Sequence, residues 1–64
     1  MEPRPAPVWL TTTELAERWR MTTRTLERWR SEPYGPAWHH IGGKILYLLD
    51  DILAYEDRHR RKGG

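Results

Sequence analysis

Residues 11–29 read TTTELAERWRMTTRTLERW, and this stretch decides the fold. It holds two helix starts in close succession. At the first, Thr11 is placed to cap a helix, and Glu14 to reach back to the Thr11 backbone, which together make a capping box. Leu10 and Leu15 stand at the two positions whose side chains clasp across such a start. Leu15, Ala16 and Trp19 then share one side of the helix, which ends near Arg18–Arg20. The second start is at Thr22, flanked by Met21 and Leu26 as its apolar pair. That helix runs from Thr23 to about Ser31 and is buried through Leu26 and Trp29. It stops ahead of Pro33, because a residue preceding proline is pushed out of the α region. Two helices this close must turn sharply and cross, which predicts a helix-turn-helix.

Downstream, Pro33-Tyr34-Gly35-Pro36 is a turn-rich connection. His39-His40-Ile41 and Lys44-Ile45-Leu46-Tyr47-Leu48 then surround Gly42-Gly43, which signals a β-hairpin. A last helix, from about Asp50 to Arg60, carries Ile52, Leu53 and Tyr55 as its apolar side. Asp50 and Asp51 in its first turn, and Arg58 to Arg60 in its last, both favour the helix dipole. Upstream, Val8-Trp9-Leu10 opens the folded chain, and Met1–Pro7, with Pro3, Pro5 and Pro7, reads as an extended arm. The expected organisation is a proline-rich arm at 1–7, one domain at 8–60 and a basic, glycine-ending tail at 61–64. The expected fold class is mostly α with a small β-hairpin, in the order α-α-β-β-α: a winged helix-turn-helix.

A chain of 64 residues makes one domain, and such a domain buries only about 60% of the surface its unfolded form exposes. Its large side chains are four Trp and three Tyr with no Phe, so an aromatic core is expected. The absence of cysteine excludes a disulfide framework and a thiolate zinc site. No stretch reads as a membrane span or a signal-peptide core, and the expected setting is the cytoplasm of a bacterium or the host of a phage. The net charge is only +2, but the pI is about 9.4 and the charge is unevenly spread. Five Arg (18, 20, 24, 28 and 30) face one acid, Glu27, and Arg58-His59-Arg60-Arg61-Lys62 is a second basic cluster. Such clustering is the footprint of a nucleic-acid partner; the plainer alternative is a solvated helix face.

At about 100° per residue, Thr22, Thr25, Leu26 and Trp29 share one side of the second helix, and Thr23, Arg24, Glu27, Arg28 and Ser31 the other. In a helix-turn-helix the second helix enters the major groove of double-stranded DNA, N-terminal residues nearest the bases. Thr23, Arg24 and Arg28 are therefore the base-reading candidates, since Arg bonds bidentately to guanine and a Thr methyl meets thymine. Glu27 can accept from a cytosine amino group, although pairing with a neighbouring Arg is the commoner use of such a residue. Arg20, Thr22, Arg30 and Lys44 suit phosphates, which fix position rather than sequence. His39, His40 and Lys44 are the polar groups of the wing.

Trp19 and Trp29 fall at core positions, so packing outweighs base stacking for them; Trp9 and Trp38 flank the helices as covers. His39-His40 with Asp50-Asp51 could suggest a metal site. Adjacent strand residues point to opposite faces, however, and the acids already suit the helix dipole, so no metal is expected. No serine–histidine–acid set, P-loop or carboxylate pair is present. Neither an enzyme nor a cofactor is expected.

The residues Leu10 to Trp19, Met21 to Trp29, Gly35-Pro36, Gly42-Gly43 and Tyr47 to Tyr55 resemble the excisionase/MerR-like winged helix-turn-helix family, over nearly all of the chain from Trp9 to Arg58. The family includes excisionases (recombination directionality factors), AlpA-like transcriptional regulators and DNA-packaging subunits. The resemblance implies the second helix in the major groove and the wing in an adjacent minor groove. It also implies cooperative binding with self-association along bent DNA, and a tyrosine or serine integrase as partner. Two positions depart from the pattern. Arg20 stands where the turn usually has glycine, and Leu46 and Leu48 stand where the wing usually has Arg. The second departure predicts an apolar outward strand face, open to a protein neighbour. The resemblance therefore implies an excisionase first, a small transcriptional regulator second and a protein-interaction adaptor third.

Overall fold

Thr11 ends one element and begins the next. In the computed structural model, which describes residues 7–60, the order is β1 (Trp9–Thr11), α1 (Thr12–Trp19), α2 (Thr23–Ser31), β2 (His39–Ile41), β3 (Lys44–Leu48) and α3 (Leu49–His59). Apart from Pro7, the expected proline-rich arm lies outside the described residues, as does the expected basic tail. The capping box forms as read: the Glu14 amide donates to Thr11 Oγ1 at 3.1 Å, and the Thr11 amide to Glu14 Oε1 at 2.8 Å. At the second start the Thr25 amide donates to Thr22 Oγ1 at 3.3 Å.

The turn between α1 and α2 depends on Arg20, whose φ of 58° and ψ of 47° are left-handed. The Arg20 amide donates to the Glu17 carbonyl at 3.2 Å and the Met21 amide to the Ala16 carbonyl at 2.9 Å, a Schellman closure. Met21 is thereby folded onto the core. A residue with a Cβ loses roughly 1–2 kcal/mol in this conformation, so the non-glycine at the turn carries strain.

Three strands form, where two were expected. They lie antiparallel in the order β1-β3-β2, with Leu10 opposite Tyr47 and His40 opposite Ile45. Trp9 and Leu10, in the segment expected only to open the folded chain, supply the added strand with Thr11. Three residues show no readable alternation, and their partners lie far along the sequence. The same segment starts α3, whose N-cap Leu48 offers no side-chain bond: the Leu49 amide donates instead to the Val8 carbonyl at 2.8 Å. Gly42 and Gly43 close the hairpin with φ of 58° and 80°, the double left-handed turn that matches strand twist.

The fully buried core is Leu15, Ala16, Leu26, Tyr47 and Ile52. Tyr47 is its one aromatic among the described residues, which narrows the expected aromatic core. Trp19 and Trp29 pack only against its flank, and Trp9 and Trp38 remain 36% and 41% exposed. Leu53, expected on the inner side of α3, is 45% exposed. It lies one helical step beyond the stripe that Leu49, Ile52 and Tyr55 present inward.

Glu56 ties α3 to α1. Arg18 donates to both its oxygens, from Nε at 2.7 Å and Nη2 at 2.9 Å, and Trp19 Nε1 donates at 2.5 Å. These bonds, those from Arg18 first, hold the Glu56 carboxyl down at about 2, and the carboxylate in turn raises the Arg18 guanidinium. Among the described residues, no helix is long and apolar enough to cross a membrane.

Candidate nucleic-acid interface

The outward side of α2 is a strip of groups with little to hold them. Arg24, Glu27, Arg28 and Ser31 are exposed, and Thr23 is half-buried at the edge. Arg24 and Glu27 form no ion pair among the described residues; Arg28 faces Glu32 across 3.8 Å, both side chains more than half exposed. The intrahelical Arg pairing considered for Glu27 is thus made by Glu32 instead. Exposed pairs of this kind contribute only about 0.3–0.5 kcal/mol, so the Arg28 guanidinium remains available. Its planar fork matches a guanine edge or a phosphate equally well.

The groups expected to meet phosphates are held in different ways. Arg20 is exposed in the turn. The Thr22 hydroxyl is engaged as the α2 cap and lies 3.2 Å from Thr25 Oγ1. Arg30 is half-buried: its Nη1 donates to Tyr47 Oη at 2.9 Å and Thr12 Oγ1 at 3.3 Å, and its guanidinium carbon sits 5.9 Å from the Trp38 ring centre. Lys44 is exposed where the hairpin turns.

The wing is less open than its sequence implies. His40 is exposed, but His39 is drawn inward, with Nε2 3.4 Å from Asp51 Oδ2. The register puts Trp9 and His39 on the face of Leu46 and Leu48, one on each side of β3. Their rings meet edge to face at 5.2 Å across that strand, and both leucines are half-buried. This corrects the expectation of an open apolar strand face. The wing's exposed apolar group is Ile41, close to the hairpin turn. His39 and Asp51, which the sequence grouped only for a metal reading it set aside, come together; among the described residues no third His, Asp or Glu joins them.

Of the five Arg between 18 and 30, the structure sorts three kinds. Arg18 is neutralised by Glu56, Arg30 is built into a polar cluster, and Arg20, Arg24 and Arg28 face solvent. Sequence reasoning gave Thr12, Tyr47 and Glu56 no site role and read Trp38 only as a cover. Their contacts span 17 residues or more for Tyr47, Thr12 and Glu56, beyond any local pattern.

This arrangement is a helix-turn-helix whose second helix offers an exposed, weakly paired basic face beside a three-stranded wing. A family profile described as a helix-turn-helix domain matches residues 9–60. The chain belongs to the helix-turn-helix domain family. That family includes excisionase and AlpA-like small DNA-binding proteins. The helix-turn-helix domain is therefore a DNA-binding one. No curated protein and no solved structure matches the chain.

Proposed function

We propose that this helix-turn-helix domain is an excisionase-type architectural factor that binds duplex DNA sequence-specifically and bends it. The exposed, weakly paired Arg24–Arg28 strip on α2 carries this reading. In it, α2 lies in the major groove, where Thr23, Arg24, Glu27 and Arg28 meet base edges. Arg20, Thr22, Arg30 and Lys44 hold the flanking phosphates, and the wing enters the adjoining minor groove with Lys44 and His40, behind His39.

Bending a site of 20–30 base pairs costs on the order of 1–6 kcal/mol, which only a protein of fixed shape and many phosphate contacts can offset. A single small domain makes few such contacts. Neighbouring copies bound side by side supply the rest, with a tyrosine or serine integrase as the enzyme that uses the bent product. A regulator of the same fold would instead occlude one promoter operator.

Footprinting with gel-shift phasing separates the two. Several adjoining protected sites with bent DNA at a recombination attachment region are expected. One unbent operator at a promoter would replace the excisionase reading with the regulator. Binding that does not fall steeply with salt would remove the DNA role altogether.

A further inference from the structure

Arg30 occupies the seam between the two parts of the domain that would touch DNA. On α2 it lies about 60° from Glu27, on the shoulder between the outward strip and the buried Leu26. Around it stand Thr12 in the first turn of α1, Tyr47 on β3 and Trp38 just ahead of β2. If α2 fills a major groove and the wing an adjoining minor groove, the phosphate strand dividing those grooves passes between them. That strand then runs along this seam.

An arginine on a free stem gives up rotamer freedom when it grips a phosphate. This one has lost much of it already. Nη1 is fixed by the Tyr47 and Thr12 hydroxyls, and the flat guanidinium lies over the Trp38 ring within cation–π reach. Tyr47 is itself packed into the core, with 2% of its surface exposed, so its hydroxyl is held in place by the ring's surroundings. A guanidinium carries five N–H donors, so Nη1 can serve the hydroxyls while Nε and Nη2 remain for phosphate oxygens.

We propose that Tyr47, Thr12 and Trp38 are positioning residues that preset Arg30 as a clamp for the phosphodiester strand between α2 and the wing. The inference rests on the DNA-binding placement above and adds residues to it. The core tyrosine is then part of the recognition apparatus, acting through Arg30 without touching DNA itself.

The test uses the full chain and a random-sequence duplex, because a phosphate clamp is blind to sequence. Tyr47→Phe keeps the core ring and removes only the hydroxyl; Trp38→Ala removes an exposed ring from outside the core. Each is expected to weaken binding about threefold to tenfold, well below the melting temperature. Arg30→Ala is expected to weaken it at least as much and to lower the log–log salt slope by about 0.9. The double variant Tyr47→Phe/Arg30→Ala should bind no worse than Arg30→Ala alone. A purely structural hydroxyl would give a lower Tm with unchanged affinity, or losses that multiply in the double variant, and either overturns the proposal. If Tyr47→Phe does not fold, Trp38→Ala decides by the same comparison against Arg30→Ala. A wild-type chain with no salt-steep binding removes the DNA placement itself, whereas wild-type binding unaffected by Tyr47→Phe and Trp38→Ala removes only the clamp.

Discussion

Arg18 and Arg24 lie on successive helices, both at the surface, and the structure uses them in opposite ways. Arg18 meets Glu56 with two bonds, shares that acid with Trp19 and locks α1 to α3. Arg24 has no ionic partner among the described residues and points outward from α2. In the Arg18–Glu56 pair the charge is spent on stability and adds little to the field that DNA would feel; at Arg24 it is left for a partner. Counting basic residues therefore overstates a nucleic-acid footprint until their pairing is known.

Four substitutions sharpen or break this contrast. The largest effect is expected for Arg24→Ala, which should cost about 1–3 kcal/mol of affinity at the cognate site, with much smaller loss on random DNA and an unchanged Tm. Equal losses on both DNAs in a binding titration would make Arg24 a phosphate contact instead.

Glu56→Gln should do the reverse. We expect about 1–2 kcal/mol of lost stability, after allowing for the solvent exposure of the pair, with DNA affinity intact below the Tm. Because folding lowers the Glu56 pKa from 4.5 to about 2, its stabilisation is complete above pH 4.5 and fades as pH falls toward 2. Thermal melts across that range should show the wild-type advantage over Glu56→Gln shrinking. A constant difference would mean that the carboxylate charge is not the source.

Arg20→Gly removes the strained left-handed arginine. It should gain about 0.5–1 kcal/mol, somewhat less than the strain because glycine also loosens the unfolded chain. That corresponds to a rise of about 2–8 °C in Tm. The same change tests the proposed phosphate contact, since the salt slope should drop by about 0.9; an unchanged slope would take Arg20 out of the interface. The smallest effect belongs to Lys44→Ala. Its Tm should stay constant while the slope falls by no more than about 0.9, and a larger loss of affinity would show that the wing contributes more than one phosphate contact.

Local chemistry made much of this legible in advance. The Thr11–Glu14 box, the Thr22 cap, the Gly42-Gly43 turn and the strand on either side of it involve residues a few positions apart, and each formed as read. The departures have one common cause. β1 needs β3 as a partner, the leucines of β3 are half-buried on a face where Trp9 and His39 meet from different strands, and Leu53 faces out because neighbouring elements occupy the other side of α3. Apart from His39, which reaches Leu46 across the hairpin, these partners lie beyond a helical turn or a hairpin of the residue they change.

By itself, the sequence determined where the first two helices begin and end, that they cross at a tight turn, and which side of α2 is basic. Hydrogen bonds to near neighbours and side-chain periodicity suffice for these. Only the tertiary structure decided which arginines remain available. Whether a guanidinium is neutralised by Glu56, fixed against Tyr47 and Trp38, or left in water depends on acids, hydroxyls and rings that folding brings from elsewhere in the chain. Charge is a property of residues, but its availability is a property of the fold.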